Sequence, residues 1–95
     1  MATINVHVDI NLGIGDSTVM IFNHNVSYEH YFPTTGDWSL NLDPGVYAVN
    51  FAGACPPGGN VVLTITGMTS SNPTMPITAT IAGGGHFLDY VTITV

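Results

Sequence analysis

Basic side chains are missing from this 95-residue chain, which contains no lysine and no arginine. Charged residues make up 6% of it, whereas about a quarter of an average globular chain is charged. The absence excludes a Schiff-base lysine, an arginine clamp for phosphate and any cation that would neutralise a nucleic-acid backbone. We therefore expect no nucleic-acid partner and no attraction to anionic membrane surfaces.

Long apolar runs are also absent. None approaches the roughly 18 residues of a membrane span, so membrane insertion is not expected. No signal peptide opens the chain, because Met1 is followed directly by an alternating strand pattern. The compartment is left open by the sequence, and an extracellular or cell-surface location is favoured. The net charge of −6 helps solubility and indicates no particular ligand.

Cysteine occurs once, as Cys55. One cysteine excludes an intrachain disulfide and a four-cysteine zinc site. Its surroundings, residues 54–59, are rich in proline and glycine and therefore indicate a loop. Two interpretations stay open, a structural thiol and an intermolecular disulfide.

Short alternating runs dominate what is present. In the first, at residues 3–12, apolar residues such as Val6 and Val8 alternate with polar ones such as His7, as in a strand with one buried face. With 45% apolar residues and runs separated by glycine, proline, threonine and asparagine, the composition is that of an all-β protein. About seven to eight such strands predict a two-layer antiparallel β-sandwich, with residues 1–95 as one domain.

Turn signals join several of the runs. Asp43-Pro44-Gly45 lies between two runs in which alternate residues, from Trp38 to Leu42 and from Tyr47 to Phe51, are apolar. Proline and glycine in this order favour a tight turn. We predict a β-hairpin over residues 38–51 whose strands share one buried face. His24-Asn25 predicts a second hairpin turn.

The same region carries a family resemblance. Residues 31–51 contain a threonine-rich turn, an alternating strand, Leu42-Asp-Pro-Gly-Val-Tyr47 and another alternating strand. This order resembles the prealbumin-like β-sandwiches, including carboxypeptidase-regulatory-like domains and the repeat domains of bacterial surface proteins. The resemblance implies an Ig-like or prealbumin-like sandwich with a non-catalytic role. The Lys-Asn crosslink of the surface-protein branch is excluded because the chain has no lysine.

A Thr-x-Thr pattern recurs every 14 residues in the second half of the chain. Its members are Thr64 and Thr66, Thr78 and Thr80, and Thr92 and Thr94. If their strands lie in a single sheet, six threonines form a flat array that Tyr90 extends. Ordinary β-propensity is the favoured explanation of the pattern, because threonine is common wherever a strand face is half exposed. As a binding face, the array would suit a glycan, another sheet or, by resemblance to ice-binding β-helices, ice.

Metal and catalytic patterns are weak. His7 and Asp9 project from one strand face and are weak metal candidates, since no further ligand accompanies them in an established spacing. No G-x-S-x-G motif is present, and Cys55 has no neighbouring histidine. We predict that the protein is not an enzyme and needs no cofactor.

Self-association is the favoured role. β-Proteins commonly protect exposed strand edges with lysine, which this chain lacks. We therefore expect a homo-oligomer or a repeating assembly with a structural or adhesive role. The alternative is a small carbohydrate-binding lectin that uses Tyr31, Tyr90 and the threonines, and a more remote one is ice or surface binding.

Overall fold

The computed structural model describes residues 1–11, 15–55, 59–81 and 85–95. Leu12, and residues 56–58 of the loop predicted around Cys55, lie outside the described residues. Nine strands occur in the described part: β1 (Ala2–Ile10), β2 (Asp16–Phe22), β3 (Ser27–Phe32), β4 (Gly36–Leu42), β5 (Val46–Ala54), β6 (Val61–Thr66), β7 (Ser70–Asn72), β8 (Ile77–Thr78) and β9 (His86–Thr94). No helix in this part has the length and apolar character that crossing a membrane requires.

The strands form two antiparallel sheets. The four-stranded sheet has the order β4-β1-β6-β8, and the five-stranded sheet has the order β3-β2-β5-β9-β7. Every pair of neighbouring strands is antiparallel. The predicted all-β, two-layer antiparallel architecture is therefore confirmed.

Alternation builds the core between the sheets. In β1, Val6 and Val8 are fully buried, whereas His7 and Asp9 face outward, because successive strand residues point to opposite faces. The same period holds in β2, β5, β6 and β9. Each buried valine or larger apolar side chain contributes about 1.5–3 kcal/mol relative to leaving it in water. The fully buried aliphatic side chains are Ile4, Val6, Val8, Val19, Ile21, Leu42, Val49, Val61, Leu63, Ile65 and Ile93.

The hairpin predicted over residues 38–51 is wrong. β4 pairs with β1, whereas β5 pairs with β2 and β9, so the Asp43–Gly45 turn carries the chain from one sheet to the other. The expectation of a shared buried face is met across the two layers, since Leu42 and Tyr47 are both buried. The Tyr47 hydroxyl donates to the Asp43 carbonyl at 2.7 Å. A turn sequence specifies a reversal of the chain, but not which strands then pair.

The second hairpin turn is confirmed. β2 and β3 pair antiparallel with Phe22 opposite Ser27, on either side of His24-Asn25. The Asn23 side-chain oxygen accepts hydrogen bonds from the main-chain N–H groups of Asn25 (2.9 Å) and Val26 (3.1 Å). The turn therefore uses the local side-chain hydrogen bonding that makes asparagine common in turns.

The single threonine array is also wrong. β6 and β8 belong to the four-stranded sheet and β9 to the five-stranded sheet, so Thr92 and Thr94 are separated from the other four threonines. Thr80 lies beyond the end of β8. A regular spacing along the chain sets which face a residue occupies within its strand, but it does not assign the strand to a sheet. The ice-binding hypothesis depended on that single array, which the structure does not form.

The close approach of β2 and β5 makes Gly53 essential. A Cβ added at Gly53 would collide with the main-chain carbonyl of Asp16, and backbone atoms cannot move aside without breaking the ladder. At Gly36 an added Cβ would lie 3.6 Å from the Phe32 ring, which is an ordinary contact.

We predict that Gly53→Ala lowers the free energy of unfolding by at least about 2 kcal/mol, as overpacking does, and that Gly36→Ala changes it by less than about 1 kcal/mol. Urea denaturation of the two variants measures the difference. Equal stability of the variants would contradict the β2–β5 register.

Candidate functional site

The two outer faces of the sandwich differ in chemistry. The outer face of the four-stranded sheet, called here the polar face, carries hydroxyl, amide, imidazole and carboxylate side chains apart from Val62. They alternate with the buried residues of the same strands. Its members are Thr3, Asn5, His7, Asp9, Asp37, Ser39, Asn41, Thr64, Thr66 and Thr78.

A hydrogen-bond network connects β1 and β4 on the polar face. Asp37 lies opposite His7, and Ser39 lies opposite Asn5. The Asp37 Oδ1 atom is 2.9 Å from His7 Nδ1 and accepts from Asn5 Nδ2 at 3.2 Å. Ser39 Oγ donates to Asn5 Oδ1 at 3.1 Å. An amide and an imidazole thus contact a carboxylate that would commonly pair with lysine or arginine.

These donors stabilise the ionised form of Asp37. The hydrogen bond from Asn5, followed by the one from His7, lowers the pKa of Asp37 below its ordinary value, although desolvation acts in the opposite direction. A carboxyl group with a lowered pKa in the folded state stabilises the fold above its unfolded pKa of about 3.9. That contribution is lost as the pH falls through the lowered pKa.

The metal candidates do not form a metal centre. His7 is turned toward Asp37, and the Asp9 carboxylate accepts a hydrogen bond from Thr35 Oγ1 at 3.4 Å. Within the described ranges, no three or more histidine, cysteine, aspartate or glutamate side chains lie close enough together to hold a metal ion. His7 and Asp9 are thus each engaged with a different neighbour, Asp37 and Thr35.

The outer face of the five-stranded sheet carries most of the exposed large apolar side chains and is called here the apolar face, and polar residues such as Ser27, Glu29 and Thr94 share it. Tyr90 is 66% exposed, Val46 59%, Tyr31 54% and Leu88 53%. The strand registers bring these residues onto one surface together with further outward-facing side chains. Those additional members are Thr18, Met20, Phe22, Ala48, Asn50, Ala52 and Thr92.

Two carboxylates border this apolar face, Glu29 on β3 and Asp16 at the end of β2. Asp16 Oδ2 accepts a hydrogen bond from the Tyr31 hydroxyl at 2.9 Å, and its Oδ1 accepts one from the Ala54 N–H at 3.1 Å. The hydrogen bond to Asp16 raises the pKa of Tyr31. Tyr31 is therefore fixed at its hydroxyl while its ring stays exposed.

An open hollow lies at one end of the apolar face. It has a volume of about 460 Å³ and is lined by Phe22, Asn23, His24, Val46 and Ala48. Its walls are mainly apolar, with one imidazole and one amide at the β2–β3 turn. The hollow adds concave surface to a sheet face that is otherwise flat.

The sheets have two long and two short edge strands. β3 and β4 are six and seven residues long, whereas β7 and β8 have three and two residues and adjoin Pro73 and Pro76. The His30 ring on β3 stacks on the Trp38 ring on β4 with centroids 5.4 Å apart. The two long edges therefore lie on the same side of the sandwich.

Cys55 belongs to the core. Its side chain is 1% exposed and packs in the buried cluster, and its main-chain N–H donates to the Gly85 carbonyl at 2.7 Å. The intermolecular disulfide considered from the sequence would require this sulfur to leave the core.

The site residues expected from the sequence fall on two surfaces. Thr64, Thr66 and Thr78 lie on the polar face. Tyr31, Tyr90, Thr92 and Thr94 belong to the five-stranded sheet. Sequence reasoning did not identify Val46 and Leu88 as exposed apolar residues, although both occupy outward-facing positions of their strands. It also missed Asp37, because the contact with His7 depends on the β1–β4 register.

Comparison with known proteins assigns this chain to no family. No family model, curated protein or solved structure matches this chain.

Acid sensitivity tests the Asp37 network. We expect Asp37→Asn to lower the thermal midpoint at neutral pH, and the gap from the wild type to narrow as the pH falls from about 4 through the lowered pKa of Asp37, because the stabilising effect of the ionised carboxylate is lost over that range. Asp43→Asn is the control, since the Asp43 carboxylate makes no hydrogen bond within the described part of the chain. Thermal unfolding monitored between pH 7 and pH 2 measures both. If the thermal midpoints of the two variants changed with pH in the same way, the Asp37 network would be contradicted.

Proposed function

We propose that this chain is a non-enzymatic β-sandwich module of the prealbumin-like type, and that its role is structural or adhesive through self-assembly. The all-β two-sheet architecture supports the class of module. The likeness of residues 31–51 to prealbumin-like domains supports the type. The region of likeness includes the turn at Asp43–Gly45 that leads from one sheet to the other.

The apolar face is the observation that carries this proposal. Four large side chains, those of Tyr31, Val46, Leu88 and Tyr90, are each more than half exposed on one sheet surface. Large apolar side chains exposed together on one sheet surface support an interaction site. Covering it removes apolar area from water, which is the main driving force of protein association.

Charge is distributed in a way that permits such a contact. A net charge of −6 opposes association of identical chains. Asp9 and Asp37 lie on the opposite, polar face, and Asp16 is already hydrogen bonded at the border of the apolar face. Repulsion between two apolar faces therefore comes mainly from Glu29 and Asp16, the two carboxylates at the border of this face.

Light scattering coupled to size-exclusion chromatography tests the proposal. At high micromolar concentration we expect a mass of at least twice that of the 10.0 kDa chain. Replacing both Leu88 and Tyr90 by aspartate should reduce that mass, because two charges would be buried in an apolar contact. Thr64→Asp, on the polar face, should leave it unchanged. A monomeric wild type would refute self-assembly.

A carbohydrate-binding lectin is the second candidate. It is favoured by the exposed Tyr90 ring, which has Asn50 opposite it on β5 and Thr92 two residues along β9. An aromatic ring beside amide and hydroxyl groups suits a sugar, which presents apolar and polar edges together. A glycan array should then show binding that Tyr90→Ala abolishes and Tyr28→Ala retains. An array without binding would exclude the glycans displayed and leave self-assembly as the role.

A further inference from the structure

β4 presents an unprotected strand edge. Within the described residues it pairs only with β1, so one side of its backbone is left without a strand partner. Its seven residues contain no lysine and no proline, which are common means of blocking an edge. An edge of this length is a template for another strand.

The other edges fit this role less well. β7 and β8 are short and adjoin prolines, and proline lacks the N–H that a ladder needs. On β3, antiparallel pairing of two copies about Glu29 would place two glutamates directly opposite each other, which is destabilising. β4 is therefore the edge that remains available over its full length.

We propose, on the basis of the self-assembly proposed above, that a second copy of this chain pairs antiparallel with β4 about a two-fold axis at Ser39. Ser39 is the central residue of Gly36–Leu42, so this register uses the whole strand. It keeps every side chain on its own face of the sheet, since residues of the same parity then meet. Asp37 lies opposite Asn41 of the second copy, and Trp38 lies opposite Leu40 of the second copy.

The polar side chains of β4 are complementary to themselves in this register. Asp37 Oδ1 already takes part in both contacts with Asn5 and His7, and Asp37 Oδ2 has no hydrogen bond to any described residue. Asn41 Oδ1 accepts from Thr3 Oγ1 at 2.9 Å, while Asn41 Nδ2 donates to none of the described residues. Directly opposite side chains have Cβ atoms about 4.5–5.5 Å apart. Asn41 Nδ2 of one copy therefore donates to Asp37 Oδ2 of the other, twice by symmetry.

The inner side of β4 is complementary as well. Trp38 and Leu40 are only partly buried, although both pack against the core. Opposite each other across the two-fold axis, they cover the apolar surface that each copy leaves exposed at the open side of its sandwich. Cross-strand side-chain pairs are a main source of stability in a sheet.

Pairing through β4 joins two four-stranded sheets into one continuous sheet of eight strands. Because the two-fold axis is perpendicular to that sheet, both polar faces lie on one side and both five-stranded sheets on the other. The apolar faces stay free for the contact proposed above. Two separate self-contacts in one chain produce a repeating assembly rather than a closed dimer.

Cysteine crosslinking tests the register. Ser39→Cys places two thiols opposite each other at the two-fold axis, so mild oxidation or a short bismaleimide should convert most of the protein into a covalent dimer. Ser27→Cys is the matched control, because Ser27 is also an exposed serine on a long edge strand, and it should stay mostly monomeric on a denaturing gel. Both are made in the wild type and in the Leu88→Asp/Tyr90→Asp background, where the apolar contact is weakened. Efficient crosslinking of Ser39→Cys in both backgrounds supports the inference.

A charge at the axis gives an independent readout. Ser39→Lys places two lysines opposite each other and should weaken association by roughly tenfold or more, whereas Ser27→Lys should not. Circular dichroism confirms that both variants are folded. Oligomers that persist with Ser39→Lys, together with crosslinking of Ser39→Cys no greater than that of Ser27→Cys, would overturn pairing through β4 and leave self-assembly standing. A monomeric wild type would overturn both.

Discussion

The structure depends on the burial of alternate side chains between two sheets. Strands β1, β2, β5, β6 and β9 each direct every second residue inward, and the valine, leucine and isoleucine side chains at those positions are almost completely excluded from water. The period also fixes the opposite surfaces, because the residues between them must point outward. Shifting one strand by a single residue would exchange core and surface along its entire length. The polar and apolar faces are therefore consequences of the same pattern that makes the core.

The absence of cations shapes both the surface and the edges. Carboxylates are stabilised by neutral or titratable donors instead: Asp37 by Asn5 and His7, and Asp16 by the Tyr31 hydroxyl and the Ala54 N–H. These contacts join neighbouring strands, as salt bridges do in other sheets. No lysine is present to block a strand edge, so the length and composition of each edge strand decide whether it can pair. β4 has seven residues and contains no proline, whereas β7 and β8 are short and adjoin prolines.

The alternation of apolar and polar residues predicted the architecture. Whether a strand residue is buried depends on its odd or even position, which can be read from the sequence. The alternation identified Val6, Val8, Tyr47 and Phe51 as core residues, and all four are buried. It did not predict strand pairing, since antiparallel partners distant in sequence are selected by packing of the whole sandwich. The Asp43–Gly45 turn was therefore assigned to a hairpin although it connects two sheets. The contact of His7 with Asp37 escaped prediction for the same reason, because it requires the β1–β4 register.

Amide hydrogen exchange, followed by NMR at low and at high protein concentration, reports on the core and on the β4 edge together. We expect slow exchange for amides between the strands β1, β2, β5, β6 and β9 at both concentrations. We also expect amides on the open side of β4 to exchange rapidly when the protein is dilute and slowly when it is concentrated, as pairing of two copies through β4 requires. Rapid exchange of these β4 amides at both concentrations, while the central strands stay protected, would contradict it.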